Sequence, residues 1–121
     1  MYSLNTTMSR PPQCRRIAGK PGACVFKPAG VPACRLEWLN LTLDEFEALR
    51  LGDLDGLHHK EAATRMGVSR QTFGRIIENA RRKVARALSS GMALNIEGGA
   101  VYTAANRSAA SRVLRDNRAN P

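Results

Sequence analysis

Between positions 58 and 88 the chain meets five separate demands of one geometry, two helices joined steeply through a tight turn. Close approach needs a small residue on the first helix, and Ala63 supplies it. The turn needs a residue at ease with positive φ, and Gly67 supplies it. Val68 follows as an apolar plug, Ser69 as an N-cap, and Phe73 and Ile76 as inward residues about one turn apart. The spacing predicts a helix over His59–Met66, with Ala62, Ala63 and Met66 inward and Gly67 ending it. It predicts a second helix from Arg70 to about Leu88, where Phe73, Ile76, Ile77, Ala80, Val84 and Leu88 recur at helical period.

A third helix precedes these two. Leu39, Leu41 and Leu43 alternate with Asn40 and Thr42, an extended lead-in. Thr42 and Glu45 then form a capping box, and Leu41 and Phe46 stand at the positions of a hydrophobic staple. Asp44 and Glu45 suit the positive end of the helix dipole. The helix should run to about Leu54 and stop at Gly56, with Leu43, Phe46, Leu49 and Leu54 as its apolar side. Asp44, Glu45 and Glu47 are explained by capping and solvation rather than by acid–base chemistry. From Ser9 to Pro32, frequent Pro and Gly allow only short extended pieces, at Arg15–Ala18 and Cys24–Lys27. Ala93–Glu97 should form a short strand, pairing near Arg15–Ala18.

The expected class is therefore mainly α: a three-helix core with short flanking β-strands. Residues 1–13 read as a disordered basic arm, 14–100 as a single domain, and 101–121 as a disordered tail rich in Ala, Ser, Asn and Arg. Met8 opens a second plausible start. A domain of about 90 residues buries roughly 60–65% of its unfolded surface, which leaves little room for a deep catalytic pocket. Nothing resembles a catalytic constellation or a phosphate-cradling glycine loop, so neither an enzyme nor a cofactor is expected.

Charge is unevenly placed. The chain carries a net +9. Residues 37–57 hold six acids (Glu37, Asp44, Glu45, Glu47, Asp53, Asp55) against Arg50 alone. Residues 58–88 hold eight basic groups against Glu61 and Glu78. A basic segment beside an acidic one gives an oriented field that favours a polyanion on one side. The start of the last long helix shows Arg70, Gln71, Thr72 and Arg75, groups able to bond base edges or phosphates. Arg suits guanine and Gln suits adenine, each as a bidentate pair. The reading is sequence-specific binding of double-stranded DNA through a helix-turn-helix, as a transcriptional regulator. Arg70, Gln71 and Arg75 would contact bases; Lys60, Thr72 and Arg82 would contact the backbone. Arg82 shares a face with Gln71, Arg75 and Glu78, and Glu78 should pair with it at i+4. Gly74 costs about 1 kcal/mol mid-helix, which either close approach to DNA or close packing on the preceding helix would offset. The arm Arg10–Arg16 could follow the backbone or enter a minor groove.

The segments Leu41–Leu51, Glu61–Ala85 and Ala93–Gly99, with Arg15–Ile17 and Phe26–Pro32, resemble an uncharacterised prokaryotic family. It is domain-of-unknown-function family one hundred and thirty-four, small predicted DNA-binding proteins. The resemblance covers roughly residues 8–100. The helix-turn-helix is similar to region four of bacterial sigma factors. That likeness implies that Arg70, Gln71 and Arg75 face the major groove, with Gly74 where sigma factors often carry a contacting side chain. His58-His59 departs from the family pattern, in which a Ser or Tyr stands first. Losing a capping Ser should weaken the second helix by about 1 kcal/mol.

Two rival readings come from the same residues. Cys14, Cys24 and Cys34 recur at intervals of ten, without the short C-x₂₋₄-C spacing of zinc sites. With His58 or His59 they could build a metal- or redox-responsive sensor. Alternatively, the domain docks on RNA polymerase or another acidic protein. One reading helix buries little area, so a homodimer on paired half-sites is expected. No apolar run reaches membrane-spanning length and no signal core opens the chain, so no membrane association and a cytoplasmic location are expected. An odd number of cysteines fits a reducing compartment.

Overall fold

The computed structural model describes residues 14–103. The expected disorder of 1–13 and of 104–121, and any placement of Arg10, lie outside those residues. The chain is mainly helical with short flanking strands. In order come β1 (Arg15–Arg16), β2 (Val25–Phe26), a 3₁₀ turn (Ala33–Arg35) and β3 (Trp38–Leu41). Helix α1 (Leu43–Leu49) runs directly into a π turn (Arg50–Leu54). Next are α2 (His59–Met66), α3 (Arg70–Ser90), β4 (Ala93–Ile96) and β5 (Val101–Tyr102).

Helix α1 starts as its sequence demands. Both arms of the capping box form: Thr42 Oγ1 accepts from the Glu45 N–H, and a Glu45 carboxylate oxygen accepts from the Thr42 N–H at 2.9 Å. The continuation differs from an α-helix reaching Leu54. Beyond Leu49 the hydrogen bonds widen, so that the Asp55 N–H reaches the Arg50 carbonyl. Gly52 lies within this turn, where a Cβ would stand 2.5 Å from Ile77 Cδ1. A side chain at this position would require the tip of Ile77 to shift. The wider turn also changes the direction in which its own side chains point, so Leu51 is buried and Leu54 is 77% exposed. Leu54 therefore leaves the apolar side that simple periodicity assigns to it.

Helix α2 ends in a Schellman motif. Gly67 adopts φ +69°, and the Val68 N–H reaches back to the Ala63 carbonyl at 3.0 Å. Ser69 Oγ then accepts from the Thr72 N–H at 3.1 Å and opens α3. Ala62, Ala63 and Met66 join Ala48, Leu51, Phe73, Ile76 and Ile77 in one buried cluster, which ties α1, α2 and the first half of α3 together. A second cluster joins Leu41, Ala80 and Ile96, with Leu43, Phe46, Leu49 and Leu94 against it. It seats the sheet on the middle of α3. Leu88 lies past both clusters and is 79% exposed; Ala87 is the buried residue of that last turn, contrary to the expected stripe.

The strand expected at Ala93–Glu97 forms, but with other partners. β4 pairs parallel with β3 and antiparallel with β2, while β1 pairs parallel with β5. Leu94 thus bridges Phe26 and Leu39 in register. Val101 and Tyr102, read from composition as the start of the tail, instead pair with Arg15 and Arg16.

His58, the N-cap of α2, makes no side-chain capping bond. His58→Ser would create a capping box with Glu61, three residues on. The expected result is a gain of about 1 kcal/mol in chemical denaturation; an unchanged midpoint would contradict it.

Candidate nucleic-acid interface

The first turns of α3 hold most of the residues singled out by sequence. Successive residues rotate by about 100° around a helix. The buried stripe of Phe73, Ile76, Ile77 and Ala80 therefore leaves Gln71, Arg75, Glu78 and Arg82 on the opposite side, and all four are exposed. Arg75 Nη2 donates a long bond of 3.4 Å to Thr72 Oγ1. Glu78 and Arg82 do not form the expected ion pair, and among the described residues neither has another ion-pair partner.

The other sequence-selected residues lie on the flanks. Arg70 turns toward α2, away from Gln71 and Arg75. It shares a cleft of about 630 Å³ with His58, His59, Lys60 and Arg81, floored by Gly52 and Leu57. This cleft brings the expected base contact Arg70 and the expected backbone contact Lys60 to one place. His59 is fixed by edge-on contact with Phe73, ring centroids 5.1 Å apart. Thr72 lies on the opposite flank, half-buried, where its hydroxyl accepts from Ser69 Oγ at 2.9 Å. Among the described residues, the only atom near a Cβ built on Gly74 is His59 Nδ1 at 4.0 Å, ordinary contact. Packing on α2 therefore does not require glycine at that position.

Much of the charge asymmetry read from sequence is absorbed by the fold. Arg81 grips Asp53 with two bonds, of 2.7 and 3.1 Å. That grip holds the Asp53 carboxyl below the usual carboxylate range and pushes Arg81 up. The pair's contribution to stability is fully present above about pH 4, the unfolded value, and is lost as pH falls through the lowered value. Lys83 is likewise spent, on Glu45 at 2.7 Å and on the Asn40 carbonyl at 2.8 Å. Asp44, Glu45 and Glu47 are buried, not solvated. Glu47 takes two bonds from Arg50, which push the Arg50 guanidinium up, and a third from the Ala18 N–H at 3.0 Å. Burying these carboxylates is tolerable because each is paired or hydrogen-bonded. The exposed cations of α3 with no ion pair among the described residues are Arg70, Arg75, Arg82 and Arg86.

Sequence reading did not connect Gly52, His59 or Arg81 to this surface. Each comes from a different element, and no spacing rule links Arg81 to His59 and Gly52, 22 and 29 positions before it. Cys14 is half-buried and Cys24 and Cys34 are exposed; all three are free. Among the described residues, no three His, Cys, Asp or Glu side chains gather as a metal-binding group. No described helix is long and apolar enough to cross a membrane.

Among known proteins, the chain is 54% identical over 97 residues to a UPF0251 protein of Prosthecochloris aestuarii, covering 80% of this chain and 63% of that one. It is 52% identical over 92 residues to a UPF0251 protein of Thermoanaerobacter sp., covering 76% of this chain and 81% of that one. The chain spans 60% of the length of its relative from Desulforudis audaxviator, to which it is 53% identical. No solved structure matches it. Residues 5–104 match the family described as protein of unknown function DUF134, and the chain belongs to that family.

Proposed function

We propose that this protein binds double-stranded DNA in a sequence-specific manner and acts as a transcriptional regulator. In this reading α2, the turn at Gly67–Ser69 and α3 form a helix-turn-helix of the sigma-region-four kind. The observation that carries it is the side of α3 opposite the core. There Gln71, Arg75 and Arg82 stand exposed, with no ion-pair partner among the described residues and no part in either apolar cluster. A hairpin built only for stability has no use for that set. Placed in a major groove, Gln71 and Arg75 read base edges and Arg82 holds a phosphate. Arg70 takes a backbone role instead of a base contact: it joins Lys60 and the two histidines in the basic cleft, which faces the phosphates of one strand. Gly74, unneeded for packing, lets the helix backbone lie close to the bases. A homodimer would place two such helices on paired half-sites.

Titration of a mixed-sequence duplex over a range of salt tests the reading, since phosphate contacts make log affinity fall steeply with log salt. A flat dependence would contradict it. Asp53→Asn adds a sharper test. It releases Arg81 into the cleft, so affinity should rise about threefold or more and the salt slope should steepen by about one. Stability should fall by less than about 1 kcal/mol, because the pair is exposed. Unchanged affinity would place the cleft away from the duplex.

A further inference from the structure

Arg15 supplies a cation to α3 from outside the two-helix unit. Its backbone is fixed: the N–H donates to the Ala100 carbonyl at 2.7 Å, and the residue pairs with Val101. Its side chain lines a cleft of about 280 Å³ with Asp44, Glu45, Thr72, Arg75 and Asn79. It also lines the adjoining cleft of about 260 Å³ with Val68, Ser69 and Thr72. Both clefts lie on the flank of α3 away from the His58–Lys60 cleft.

The fold leaves this guanidinium short of partners. Among the described residues, Nε is buried with no acceptor. The ion pair to Asp44 spans 3.6 Å, too long for a hydrogen bond. Asp44 already accepts from the Thr42 hydroxyl, and Glu45, the other carboxylate of the cleft, is held by Lys83. A planar fork of five donors is thus poorly used inside the protein, where an unmet charged donor is costly. The side chain keeps 21% exposure, so an arriving anion can reach it. Phosphate oxygens match the fork bidentately. Seated there, a phosphate would also meet the Thr72 hydroxyl and the positive end of a 21-residue helix.

We propose that Arg15 seats a DNA backbone phosphate on the Thr72 flank of α3, opposite the strand held by Lys60 and Arg70. This rests on the duplex-binding reading above and adds a contact from β1. The two clefts would then grip the two strands that border one major groove.

The test uses the full chain and a mixed-sequence duplex, titrated at several salt concentrations with wild type, Arg15→Gln and Arg15→Lys. Arg15→Gln should weaken binding about five- to tenfold at moderate salt, equally for different sequences, and reduce the salt slope by about one. Arg15→Lys should restore most of the slope, as it keeps the charge. Melting curves of each variant accompany the titration. If Arg15→Gln keeps wild-type affinity and slope, the proposal is wrong while duplex binding stands. If affinity falls with an unchanged slope and a lower melting temperature, Arg15 is only structural and the proposal is again wrong. If wild type binds no duplex, the underlying reading fails and takes the proposal with it.

Discussion

Phe73→Ala should cost about 3–5 kcal/mol, the usual penalty for deleting a buried aromatic ring. Phe73 is fully buried, among the largest side chains enclosed in the fold. It shares a cluster with Ala48 and Leu51 before the turn, Ala62, Ala63 and Met66 on α2, and Ile76 and Ile77 on α3. It also fixes His59 edge-on, so the same ring shapes the basic cleft. A domain of about 90 residues has roughly 5–13 kcal/mol of stability in total. Each kcal/mol lowers the melting temperature of so small a domain by about 4–8 °C. The expected drop therefore exceeds about 12 °C by far-ultraviolet circular dichroism. A drop under about 5 °C would mean that α2 and α3 are not held together by this ring.

The second large effect concerns binding rather than folding. Gln71→Ala and Arg75→Ala should each reduce discrimination between a preferred and a scrambled duplex by about 5- to 150-fold, the range expected when a bidentate base contact is lost. Both side chains are exposed, so stability should stay within about 0.5 kcal/mol of wild type. Arg82→Ala should behave differently. It should weaken binding to all sequences alike and reduce the salt slope by about one. That contrast separates reading from positioning on a single helix face.

Local signals carried most of the fold. The Thr42–Glu45 box, the Gly67 turn and the Ser69 cap all form as the sequence predicts, because each is decided within four residues. The inward residues of α2 and of the first half of α3 were legible for the same reason. The features that escaped were set by contacts distant in the chain. The π turn at Arg50–Leu54 replaces the α-helix that period predicts, and Gly52 within it lies against Ile77, 25 residues on. The partners of β4 and β1 depend on how both flanks wrap around α3, which alternation cannot specify. Asp44, Glu45 and Glu47 read as capping and solvated acids; the capping forms, but their burial was not legible because their surroundings, Arg15, Lys83 and Ala18 among them, come from other segments. The same limit shaped the candidate site. The outward set Gln71, Arg75 and Arg82 follows from helical period alone. The grouping of Arg70 with Lys60, and of Thr72 with Arg15, required the packed structure.

The most direct measurement is a selection of bound sequences from a pool of random duplexes, run in parallel with wild type and with the Gln71→Ala, Arg75→Ala double variant. Wild type should enrich a short motif, and the double variant should lose or change it while still retaining duplexes at low salt. Enrichment of the same motif by both proteins, at equal affinity, would contradict base reading by the outer face of α3.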